Sequence, residues 1–129
     1  MGMFDAINNS ASGLTAQRLR MDIISQNIAN ANTTRTPEGG PYVRQMPVFS
    51  QSSSGMVQVQ AIVSDPRPFK LTYDPSHPDA DPNGYVLMPN VDVTEEMVDM
   101  ISATRSYEAN VTVIDAAKNM AMRAIDIAR

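Results

Sequence analysis

The sequence predicts a mainly α-helical chain: two long terminal helices paired as an antiparallel, coiled-coil-like hairpin, with a short-stranded β insertion between them. Three observations predict it. Residues 92–129 contain no Pro and no Gly, and apolar side chains recur there every seven positions. Residues 3–31 show the same period. All nine prolines fall between 37 and 89, where the pattern changes to short alternating runs. The expected division is 1–31 for the N-terminal helix, 32–91 for the linker and β region, and 92–129 for the C-terminal helix, the two helices forming one core domain.

In the first helix Ile7, Leu14, Met21 and Ile28 are spaced by seven, accompanied by Phe4, Ala11, Ile24 and Ala31 and interrupted by Arg18 and Ser25. Leu19 and Ile23 fall on another face, so the apolar surface is wider than one two-stranded seam requires. Gly13 costs about 1 kcal/mol relative to Ala in a helix interior, which leaves the helix marginal on its own. Its far end, Ser25 to Thr34, is rich in uncharged hydrogen-bonding side chains. Asn30 or Asn32 is placed to end the helix before Pro37 and the Gly39-Gly40 pair. Asn27 and Asn30, three apart on one face, have a second reading as amides that bond to other chains in an assembly.

Residues 36–54 read as loop and extended chain, and Ser50 with Ser52–Gly55 as a flexible turn. Met56–Val63 alternates, with Val57, Val59, Ala61 and Val63 on one face, and is the clearest strand. Phe69–Tyr73 and Tyr85–Met88 form two more, joined as a hairpin by the Pro- and Asp-rich loop 74–84. Within it Asp79-Ala80-Asp81-Pro82-Asn83-Gly84 fits the first half of an EF-hand loop, but its twelfth position is Asn90 rather than Glu and its flanks are strands. A tight surface turn with Gly84 at positive φ accounts for the same residues, and His77 among Asp74, Asp79 and Asp81 reads as solvated rather than metal-bound.

The last helix opens on Asp92 with Glu95 at capping-box spacing, and acids at 92, 95, 96 and 99 suit its positive dipole end. Met100, Tyr107, Ile114, Ala121 and Ala128 form one heptad line. Met97, Thr104, Val111, Lys118 and Ile125 form its companion, giving an a/d-like seam of roughly 50 Å. Ala103, Asn110, Ala117 and Ala124 lie beside the seam and would admit a close neighbouring backbone. The apolar Val98 and Ile101, like Leu19 and Ile23, fall off the main lines. The helices are therefore expected to pair with residues 32–91 at one end, leaving faces for neighbouring subunits, and the ends of the free chain are expected to be largely unfolded.

Composition narrows function further. With no Cys there are no disulfides, thiolate metal sites or Cys nucleophiles, and no stretch is long and apolar enough to span a membrane. The first thirty residues lack a Sec-type signal pattern. The net charge of −4, with residues 92–129 holding seven acids against four bases, and the small number of aromatics argue against nucleic-acid binding. With one His and no nucleophile elbow, phosphate-binding Gly loop or H-E-x-x-H, an enzyme is not expected, nor any cofactor or metal.

Ser10 to Gln17, running on through Met21 to Thr33, resembles the N-terminal signature of bacterial flagellar rod and hook proteins, and Glu95 to Asn110 resembles the matching signature at their other end. Arg35 to Tyr42, Asp74-Pro75, His77 to Asp81 and Gly84 to Val91 are similar to the proximal-rod members of that family, whose short middle region also fits the length here. The resemblance implies a non-catalytic rod subunit that polymerises helically, is exported by the flagellar type III apparatus and lies in the periplasmic part of the basal body. Its implied partners are other proximal and distal rod subunits, further copies of itself, the rod-to-ring adaptor and the export apparatus. A different axial subunit, or a calcium-dependent module on loop 79–84, is the alternative. The assembly contacts expected are Ile7, Leu14, Met21, Ile24, Asn27, Ile28 and Asn30 on the first helix. On the last they are Met97, Met100, Ile101, Tyr107, Val111, Ile114, Ala117, Ala121 and Ile125.

Overall fold

A computed structural model describes residues 2–129. Helix α1 runs Met3–Ala29, strands β1 (Gln45–Gln51), β2 (Val57–Ser64), β3 (Lys70–Tyr73) and β4 (Tyr85–Met88) follow, and α2 runs Val93–Ala128. At 1.5 Å per residue the helices are about 40 and 54 Å long. The strands form two separate antiparallel hairpins, β1–β2 and β3–β4.

The helices do pair antiparallel, but along a different line from the one expected. On α2 the deepest positions are Glu96, Ala103 and Ala117, with Asn110 between them, flanked by the half-buried Met100, Tyr107, Ile114 and Ala121. The companion line through Met97, Val111 and Ile125 is exposed. Small side chains win the seam because they let two backbones approach closely, which larger ones prevent. Gly13 of α1 shows how closely: a Cβ there would stand 3.0 Å from Asn110 Nδ2, whose amide already donates to Ser106 O at 2.9 Å. Gly13→Leu is therefore expected to cost about 1–3 kcal/mol by overpacking. The measurement is circular dichroism under a urea series, and Asn110→Ala in the same chain should recover part of the loss.

The insert is not confined to one end of the helix pair. The β1–β2 hairpin folds back along α1 as far as Ser12, whose hydroxyl accepts from the Val57 amide at 3.0 Å. Ala16 and Ile23 are buried on that side of α1, so Ile23 belongs to the intrachain core rather than to a surface for neighbours. A register shift opposite Val48 and Phe49 bends the hairpin. Pro47 is tolerated in β1 because a two-stranded sheet leaves every strand with an open edge. The resulting core is thin: Ala16, Ile23, Ile24, Val86, Val91, Ala103 and Ala117.

The helix ends follow local chemistry. Asn30 caps α1, its side-chain amide donating to Gln26 O at 2.9 Å. Asp92 caps α2, accepting from the Thr94 and Glu95 amides at 3.0 and 3.5 Å. The reciprocal half of a capping box is missing, because the Glu95 carboxylate turns instead to Arg67 at 3.2 Å.

Candidate assembly interface

The polar centre of the molecule is built around Arg44, just ahead of β1. Only 9% exposed, its guanidinium donates through Nε to Glu96, which is 0% exposed, and through Nη1 to Asp65 at 3.0 Å; Nη2 reaches Asp99 at 3.4 Å. Arg67 shares Asp65 at 2.8 Å and Glu95 at 3.2 Å. Two asparagines complete the junction. Asn27, 1% exposed on α1, accepts from Tyr42 Oη at 2.8 Å and the Gln45 amide at 3.0 Å, and donates to Gln45 O at 2.9 Å and to Glu96 at 3.3 Å. Asn90 accepts from the Arg44 amide at 2.8 Å and donates to the carbonyls of Asp65 and Arg67 at 3.2 and 3.0 Å. Both helices and the residues flanking β1, β2 and β4 are thus tied together. Among the described residues no buried side-chain polar atom lacks a partner, the condition under which a buried ionic network is tolerable.

Charge coupling is visible in the titrating groups. Burial alone would lower the pKa of Arg44, but its hydrogen bonds to Glu96 and Asp65 raise it on balance. The bond from Arg67 holds the Asp65 carboxyl at about 2, below its ordinary 3.8, against the opposing effect of burial. A depressed carboxylate stabilises the fold fully above its unfolded pKa and loses that contribution as pH falls. Between pH 4 and pH 2 about 2 kcal/mol should therefore disappear. Urea titrations at stepped pH should show this loss, and Asp65→Asn should be less stable at neutral pH with a shallower decline across the same window.

The loop that resembled half an EF-hand is engaged otherwise. Asp79 accepts from Thr34 Oγ1 and Arg35 Nε, each at 2.5 Å, and these bonds lower its pKa. Asp81 accepts from the Asn83 and Tyr85 amides, both at 2.9 Å, and His77 Nδ1 accepts from the Asp79 amide at 3.0 Å. Gly84 has φ +86°, the turn position expected of it.

The residues anticipated as assembly contacts divide into three groups. Ile24, Asn27 and Ala117 are buried within the chain, and the bonds of Asn27 run to its own chain rather than outward. Ile7, Leu14, Met21, Ile28, Asn30, Met100, Tyr107, Ile114 and Ala121 are half-buried, near the seam or its margins. Met97, Ile101, Val111 and Ile125 are exposed, together with Val98, Met120, Met122 and Ile127. Sequence reasoning gave Arg44, Asp65 and Arg67 no functional role, met Asn90 only as the twelfth position of the loop, and read Glu95, Glu96 and Asp99 only as capping or helix-dipole residues. The surface left open is large. The chain exposes 8594 Å², whereas a compact monomer of this mass exposes about 6,700 Å².

Residues 7–35 match the family model described as "Flagella basal body rod protein", and residues 83–127 match "Flagellar basal body rod FlgEFG protein C-terminal". The chain is 49% identical to the flagellar basal-body rod protein FlgC of Borreliella burgdorferi, over 98% of each protein. It is 45% identical to that of Bacillus subtilis over 100% of each, and 38% identical to that of Salmonella typhimurium over 98% of each. With identity of this order along nearly its whole length, the chain belongs to the FlgC family of flagellar basal-body rod proteins.

Proposed function

We propose that this chain is a non-catalytic structural subunit of the flagellar basal-body rod, assembled through its terminal helices with other rod subunits. The observation that carries the reading, beside family membership, is an elongated helix pair with apolar side chains on its outer surface. A standard interface removes about 800 Å² from each partner, so the excess of about 1,900 Å² over a compact monomer is enough for about two such faces on each subunit.

Finer features of the reading follow from geometry and family. Met97, Val98 and Ile101 at the start of α2 lie on the outside of the helix pair, Met122, Ile125 and Ile127 at its end lie past the reach of α1, and all six need neighbours to leave water. Contacts between unlike surfaces of successive subunits, repeated without closure, produce a helical tube. The position is the proximal rod, beside other rod subunits and the ring adaptor, in the periplasm, with delivery by the type III export apparatus. The last turns of α2, which extend past α1, become fully ordered only in the rod. Electron cryomicroscopy of basal bodies provides the test. Deleting the chain should leave basal bodies without a rod, and restoring it should return density that fits two helices of these lengths. Complete rods in the deletion strain would sink the proposal.

A further inference from the structure

We infer that the outer face of the β3–β4 hairpin, with its acidic loop, receives the C-terminal helical tail of an adjoining copy of this chain, a tail presenting two apolar side chains between two cations. The inference rests on the reading of the chain as a rod subunit and names one mating pair of surfaces within it.

The receiving face is set by strand register. Leu71 pairs with Leu87 and Tyr73 with Tyr85, so all four side chains share one face, and all four are exposed while Val86 is buried on the other side. The tyrosine rings meet edge to face at 5.2 Å. A Cβ on Gly84 would stand 2.9 Å from the Tyr73 ring, so the turn backbone packs directly on that ring. Aromatic surface held this way loses little side-chain entropy on binding. The rim is acidic: residues 71–87 carry Asp74, Asp79 and Asp81 and no Lys or Arg. Arg35 lines the same cleft as Leu71, Tyr85 and Leu87, but it is already paired with Asp79. Among the described residues Asp74 accepts from Ser76 and Asp81 from the Asn83 and Tyr85 amides, neither from a cationic side chain, and Tyr faces also attract cations.

The same chain carries the complementary surface. Gly13 lies against Asn110, and Met21 against Thr104; continued in that antiparallel register, α1 begins opposite residue ~120. Beyond Ala121, no helix of the described residues lies beside α2, and Met122, Ile125 and Ile127 are exposed there. Lys118, Met122 and Ile125 are spaced four and three apart on one face of α2, and Arg129 follows at its C-cap, a cation, apolar, apolar, cation order spanning about 16 Å. That length covers the hairpin face, about 10 Å for four-residue strands, and carries each cation past its edge toward the acidic rim. The two surfaces sit at opposite ends of the molecule. β3 is tied to the beginning of α2 by Lys70 Nζ, which donates to Val91 O at 2.9 Å, and the tail is about 54 Å away at the other end. They cannot meet within one chain, and in a row of subunits the end of one meets the beginning of the next.

A photoreactive side chain tests the assignment in assembled rods. Leu71→p-benzoylphenylalanine, with Leu87 substituted likewise as a second vantage, is expressed in place of the native chain in motile cells. Basal bodies are irradiated and purified, and the adducts sequenced by mass spectrometry. Adducts should fall on residues 118–129 of another copy of this chain, and Asp74→Lys should lower their yield several-fold. Adducts confined to other segments, or none from normally assembled rods, overturn the inference. Rods that form without the chain overturn instead the reading on which it rests.

Discussion

Arg44→Met is expected to remove cooperative folding from the middle of the molecule. It leaves Glu96 inside the protein, 0% exposed, with only the Asn27 amide beside its carboxylate. Breaking a buried ionic network by deleting one partner costs about 3–5 kcal/mol, a large share of the 5–15 kcal/mol typical of a whole domain. In a chain whose core is mostly Ala, Ile and Val, that loss should appear as sharply reduced helicity, rapid proteolysis and no motility. Arg44→Lys should fall between, since one ammonium cannot serve Glu96, Asp65 and Asp99 as a planar fork does. Adding Glu96→Leu to Arg44→Met should restore much of the lost stability, because replacing both partners removes the orphaned charge. If Arg44→Met alone melts with the parent, the junction does not organise the fold.

Ile101→Asp and Ile125→Asp should leave the isolated chain unchanged and still stop assembly. Both side chains are more than half exposed, at 57% and 59%, so a carboxylate is well solvated in the monomer and circular dichroism should not move. In the rod each subunit would bury an unpaired charge, at about several kcal/mol per site, and the defect repeats with every copy. Cells should be non-motile, with basal bodies lacking a rod beyond the point where this subunit enters. The substituted chain should still be exported. Wild-type swarming by either variant would show that its position faces solvent in the rod. These positions discriminate better than Ile28 or Ile114, which are half-buried and would confuse misfolding with failed assembly.

Much of the architecture was legible because periodicity and punctuation are local signals. The heptad spacing from Ile7 and from Met100 gave both helices, Asp92 gave one cap and Asn30 or Asn32 the other, and the alternation over Met56–Val63 gave a strand within one residue, whereas β1 reads only as extended chain. Which line of a helix is the seam proved harder. Met97, Val111 and Ile125 are more hydrophobic than Ala103, Asn110 and Ala117, yet the smaller line packs inward, since closeness of backbones depends on size. The junction was illegible for another reason. Arg44 lies 52 residues from Glu96 and 21 from Asp65, and nothing short-range marks a cation in a Tyr-Val-Arg-Gln run as buried. Asn27 did signal something, as one of a cluster of amides, but its bonds close within the chain. The exposed patches of α2 could be listed from sequence only after the seam was known.

The position of Arg44 also bears on how such a part carries load. A helix seam lined by Gly and Ala has shallow relief, so it offers little resistance to one helix sliding along the other. A slip by one turn would be about 5.4 Å, far beyond the reach of any hydrogen bond. At the junction, Asn27 on α1 and Glu96 on α2 are bonded to each other and to the same short segment, Arg44–Gln45. Sliding must therefore break several charge-assisted and amide bonds together rather than in succession. The buried cluster acts as a detent: it fixes the axial register of two otherwise smooth rods, and a shaft built from such pairs can be twisted without its members creeping past one another.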